Sequence, residues 1–165
     1  MEILPKDFKT IFKEIKNDIN NTRFKIMNNA NKELLDLYLK MGKRIEDNKK
    51  YGNSFVKELS IELKIEFPNM NGFSERNLYR MKAFYNEYKK IENLPPAVAK
   101  LPWSHNYTLV EKVKDIEKRI WYGEKCYENG WSKDVLIHQI DSNLYLRQNK
   151  VKKLNNFDKK LSNKK

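Results

Sequence analysis

Residues 51–88 read YGNSFVKELSIELKIEFPNMNGFSERNLYRMKAFYNEY, and this stretch decides the fold. Phe55, Val56, Leu59, Ile61 (or Leu63) and Phe67 recur at helical spacing. Gly52 can end a preceding helix and Ser54 can cap this one. Pro68 ends it, because the residue before a proline avoids the α region. Asn71–Gly72 makes a turn. Ser74 is a good N-cap for a second helix, with Glu75 in its first turn where the helix dipole favours an acid. Leu78, Met81, Phe84, Tyr85 and Tyr88 share one side of that helix and form a core stripe. Arg76, Arg80 and Lys82 lie largely off the stripe, and Arg76, Asn77 and Arg80 are expected to be accessible. Two helices joined by a turn, the second one basic, are the ingredients of a helix-turn-helix DNA reader. Arginine can grip guanine bidentately and asparagine can grip adenine. The plainer alternative has Arg76 and Arg80 paired with Glu75 or Glu87, or serving only to solubilise the helix.

Outward from this pair the chain stays helical. Phe8, Ile11, Phe12, Ile15 and Ile19 recur at steps of three and four, and so do Leu34, Leu35, Tyr38, Met41 and Ile45. One long helix fits, or two with a break near Asn28–Asn31. Gly42 within this pattern costs about 1 kcal/mol against alanine, which points to close approach of another helix. Residues 92–104 hold three prolines and read as a connection, with Trp103 packing it onto the body. Helical spacing returns with Leu109, Val113, Ile116, Ile120 and Trp121, and Asn129–Gly130 ends it. Ser132 opens a further helix with Val135, Leu136, Ile140 and Leu144 as its stripe. No repeat at a fixed period is present.

The chain has 165 residues, 39% of them hydrophobic and twenty aromatic, enough to fold around a core. Only five glycines and five prolines occur, few for a turn-rich β protein. The expected fold is mostly α, a helical bundle with a helix-turn-helix or winged-helix-like core and room for a small β-wing. Residues 1–149 form the domain and residues 150–165 a basic tail or linker remnant. Of the formal charge of +12, half sits in the last 25 residues. Such a tail is drawn to phosphate whatever the base sequence. It is equally well read as a solvated, lysine-rich end. Beyond the second helix, the candidate DNA contacts are Lys43, Arg44, Arg147, Lys150, Lys152 and Lys153.

One cysteine, Cys126, excludes an intramolecular disulfide and suits a reducing cytoplasm. No apolar run approaches the roughly 18–20 residues that span a bilayer, and the N-terminus lacks signal-peptide order. Walker, GxGxxG, HExxH, CxxC and GxSxG motifs are absent. His105 and His138 stand alone and read as surface or core-edge residues. No metal, cofactor or catalytic residue is expected.

Four blocks carry a family resemblance: LLDLYLKMGKRI (34–45), YG with VKELSIEL and FP (51–68), GFSERNLYRMKAFYNEY (72–88), and LPWSHN with CYENGWSKDVLIHQI (101–106 and 126–140). In this order they resemble the N-terminal domain of the YhcG-like PD-(D/E)XK nuclease family. Leu39 stands where that family usually has Trp, and Lys43 where it has Arg. The resemblance implies a DNA-binding domain ahead of a nuclease domain. LNNFDKKL (154–161) is similar to the family's linker, and the KDPY block and metal-binding acids have no counterpart here. The expectation is a DNA-binding module of a nuclease system, without catalysis of its own. The alternative is a protein-interaction or dimerisation module that docks a separately encoded nuclease subunit. Whether the chain forms a homo-oligomer is left open.

Overall fold

The computed structural model describes residues 8–150, and these are helical with no strand among them. Seven helices follow in order: α1 (Phe8–Asp47), α2 (Gly52–Glu66), α3 (Glu75–Tyr88), α4 (Pro96–Lys100), α5 (Trp103–Lys112), α6 (Ile116–Asn129) and α7 (Lys133–Asp141). A single 3-10 turn, Lys49–Tyr51, joins α1 to α2. Residues 144–150 are again helical. The mostly α expectation holds, and the described residues contain no β-wing. No described helix is long and apolar enough to cross a membrane.

Helix α1 runs unbroken for 40 residues, about 60 Å at 1.5 Å per residue. Residues 28–31 do not interrupt it. Its first half, residues 8–30, is exposed on all sides. Packing begins at Asn31, whose amide donates to the carbonyls of Ala99 (3.1 Å) and Leu101 (2.9 Å). From there Leu35, Tyr38, Gly42 and Ile45 face the body. At Gly42 the helix lies directly on α3. A Cβ there would run into the Met81 carbonyl and within 2.9 Å of the Tyr85 Cβ. The glycine is the condition for that contact.

Helix α3 is the hub. Leu78, Met81 and Phe84 have no exposed surface, and Tyr88 is buried, while Tyr85 is half-buried. Ser74 caps the helix as expected, its Oγ accepting from the Asn77 N–H. Ser54 does not cap α2. That helix starts at Gly52, and the Ser54 hydroxyl instead donates to the Tyr51 carbonyl at 3.1 Å. The connection from α2 to α3, residues 67–74, is anchored where Ser60 Oγ donates to the Phe73 carbonyl at 2.6 Å.

Trp103 joins two of the core clusters. It makes edge-on contacts with Tyr38 (4.8 Å between centroids), Phe84 (5.3 Å) and Tyr107 (5.7 Å). The proline-rich connection it terminates holds a short helix, α4, whose Ala97 and Val98 are buried. The helical spacing across 104–129 belongs to two helices, because the chain breaks at Val113–Asp115. Asp115 caps α6, accepting from the Lys118 N–H at 2.9 Å. The most buried face of α6 lies beside the expected stripe, of which Ile120 and Trp121 are half-buried and Trp121 packs against the core. Arg119, Tyr122, Gly123 and Cys126 are buried there, and Ile116 is exposed. At the other end, Gly130 adopts the left-handed conformation that stops α6.

Candidate nucleic-acid interface

The cations of α3 part company in the folded chain. Arg76, in the first turn, is exposed and has no carboxylate partner among the described residues. Asn77 is buried and committed to the fold, contrary to expectation. Its amide nitrogen donates to the Gly72 carbonyl at 2.6 Å, and its Oδ1 accepts from the Trp103 indole at 2.8 Å. Buried, and with one amide N–H and its carbonyl oxygen engaged, the side chain holds the α2–α3 connection to Trp103. It is unavailable to an adenine edge.

Arg80 is likewise occupied. Its Nε donates to Glu111 Oε1 at 2.6 Å, and its guanidinium lies over the Tyr107 ring at 3.7 Å. With 18% of its side chain exposed, it clamps α3 to α5. Lys82 leans on Glu46 at 3.5 Å and is half-buried. Glu46 is the shared acceptor of this corner. Hydrogen bonds from Asn86 (3.0 Å) and Lys49 (2.8 Å) hold its carboxyl down at about 2. The spacing places these side chains off the apolar stripe, and the neighbouring helices then claim them.

Lys43 and Arg44 sit on the exposed side of α1. Lys43 pairs with Asp47 one turn on, at 2.7 Å, with both side chains more than half exposed. Arg44 makes no ion pair among the described residues and lines an apolar groove. This groove, about 750 Å³, lies between the last third of α1 and α2. Leu37 and Met41 form one wall, Phe55, Leu59 and Leu63 the other, and Phe67 closes it. Sequence reasoning missed it. Met41, Phe55, Leu59 and Leu63 belong to the expected stripes, Leu37 to none and Phe67 lies past the end of α2, and nothing in a stripe tells whether a wall meets a partner.

At the far end, Arg147 is exposed and turns its Nη2 and Nε onto Ser142, where they cap the end of α7. Lys150 is exposed at the last described position. Lys152 and Lys153 lie outside the described residues. His105 and Cys126 are held within the fold, and His138 is exposed. His105 Nε2 stands 2.8 Å from the Trp131 carbonyl, and burial raises the Cys126 thiol to about 11, leaving it protonated and inert. Among the described residues no group of three or more His, Cys, Asp or Glu side chains could hold a metal ion.

A buried arginine escaped the sequence reading altogether. Arg119 has no exposed surface. Its Nε donates to the Val113 carbonyl (2.8 Å) and its Nη2 to the Lys114 carbonyl (3.2 Å), pinning the α5–α6 corner.

No curated protein and no solved structure matches the chain. The family model described as the DUF1016 N-terminal domain matches residues 14–147. That span takes in most of α1, all of α2 to α7 and the Arg147 segment. The chain therefore belongs to the DUF1016 N-terminal domain family, the YhcG-like domain that its four sequence blocks resemble.

Proposed function

We propose that this domain is a DNA-contacting module of a YhcG-like nuclease system, and that it holds DNA by its phosphates and not by base edges read from α3. One observation carries the reading. Arg44, Arg76, Arg147 and Lys150 are exposed and free of carboxylate partners among the described residues, in a chain of net charge +12. The side chains that would read bases, Asn77 and Arg80, are held by Trp103, Gly72 and Glu111. Exposed, unpaired cations suit phosphate contact, which supplies most non-specific affinity. Lys43 adds to them, since its exposed pair with Asp47 is worth little and can yield to a phosphate. In this reading α2 and α3 are the helix pair of a helix-turn-helix-like unit. Its presented end is the start of α3, where Arg76 stands and the helix dipole favours an anion. The module acts in the cytoplasm, binds and does not cleave.

A salt-titrated binding assay on duplexes of unrelated sequence tests the proposal. The expected result is similar affinity for every duplex, with log K falling linearly against log salt. Each phosphate contact adds about 0.9 to the slope. Affinity that ignores salt, or a preference of orders of magnitude for one sequence, overturns it.

The apolar groove favours a second reading, a surface that docks a separately encoded PD-(D/E)XK nuclease subunit. Arg44 would then flank a protein and not a phosphate. Affinity for that subunit which survives high salt and is lost on Leu59→Glu, with DNA binding unchanged, supports it over the first.

A further inference from the structure

The first half of α1 is a helix that no other described residue covers. Phe8, Phe12, Ile15, Ile19, Thr22 and Ile26 follow one another at alternate steps of four and three. That is the seam of a left-handed coiled coil. The apolar members are 41%, 58%, 52%, 53% and 62% exposed. Helical stability in proteins comes mostly from packing an apolar face. Here the seam lies along a stretch exposed on every side, and the body's contacts with α1 begin only at Asn31.

We infer that this seam pairs with the same seam of a second copy, as a parallel coil. Two features select that occupant. The first is charge. One flank of the seam carries Lys9, Lys16 and Arg23, and the other carries Ile11, Asp18 and Lys25. An antiparallel pairing sets each flank against itself and brings the basic flanks of the two copies together. A parallel pairing sets opposite flanks together. Asp18 then meets Arg23 of the second copy, once on each side, and the Lys16 stem covers Ile11. The second is area. At roughly 100 Å² apiece, the five apolar seam residues and Ile11 on two copies bury about 1,200 Å², the lower bound of a stable interface. The seam lies outside the groove and uses none of the cations assigned to DNA. Pairing needs no DNA, so its failure leaves the phosphate-binding reading intact.

Sedimentation equilibrium of the full chain without DNA, at concentrations up to on the order of 100 μM, tests the pairing. Dimers are expected. Phe12→Glu combined with Ile19→Glu should weaken the dimer about a hundredfold or more. The fluorescence of Trp103, Trp121 and Trp131 should not change, because all three lie in the body. Thr22→Leu removes the polar break in the seam and should tighten the dimer, a gain that misfolding cannot mimic. Thr22→Cys should form a disulfide between copies on oxidation, since the native Cys126 is buried. A monomeric wild type, or a double-glutamate variant that still dimerises, overturns the pairing. A dimer in which Thr22→Cys fails to cross-link overturns the parallel arrangement.

Discussion

Arg119 Nη1 stands 2.8 Å from Glu87 Oε2, with the guanidinium wholly buried and the carboxylate 37% exposed. The contact is close as an ion pair but off line for a hydrogen bond. The arginine's hydrogen bonds go instead to the carbonyls of Val113 and Lys114. One side chain thus ties the corner between α5 and α6 to the far end of α3. The two partners are not equivalent: Glu87 can rehydrate when its partner is lost, whereas Arg119 cannot.

Arg119→Ala should accordingly destabilise the fold by about 3–5 kcal/mol, through the cavity and the orphaned carbonyls. Glu87→Gln should cost less, because the backbone carbonyls still receive the guanidinium. Urea unfolding of both variants checks the order. Equal losses would show that the ion pair, and not the corner, is what matters.

Gly42→Ala pits local propensity against packing. Alanine favours a helix interior by about 1 kcal/mol. In this helix its Cβ would meet the backbone of Met81, which cannot swing aside as a flexible side chain can. The clash should win, with a net loss of about 1–3 kcal/mol or more. A thermal melt reads the sign directly.

Glu46 links this same helix pair to pH. Hydrogen bonds from Asn86 and then Lys49 lower its carboxyl from 4.5 to about 2. A group whose folded value is depressed stabilises the fold above its unfolded value, and loses that contribution as pH falls toward its folded value. The stability gap between wild type and Glu46→Gln should be full above about 4.5, shrink through the interval below it, and vanish near about 2. Urea midpoints measured against pH give the curve.

Arg76 and Arg80 should separate cleanly. Arg76→Ala should leave the thermal midpoint unchanged and reduce the salt slope of DNA binding by about 0.9 if it holds one phosphate. Arg80→Ala should lower the midpoint, because it removes both the bond to Glu111 and the stacking on Tyr107. Melting curves and salt titrations on the two variants distinguish the roles.

The sequence by itself determined that the chain is helical, where α2, α3 and α7 lie, several helix ends and the family. Ser74, Ser132 and Gly130 mark helix ends by local chemistry, and local chemistry needs no distant partner. The stripe of Leu78, Met81, Phe84 and Tyr88 declared its burial through its period, and Gly42 announced a close approach. Only the tertiary structure decided which polar residues were free. Asn77 and Arg80 look like readers in the sequence because their spacing places them beside the apolar stripe. Trp103 and Glu111, 26 and 31 residues away, claim them. The same holds for Phe12 and Ile19, whose periodicity equals that of a buried stripe although no described element lies over them. Periodicity records which residues share a face. Whether that face meets a helix, a carboxylate or water depends on contacts between distant segments, which exist only once the chain has folded.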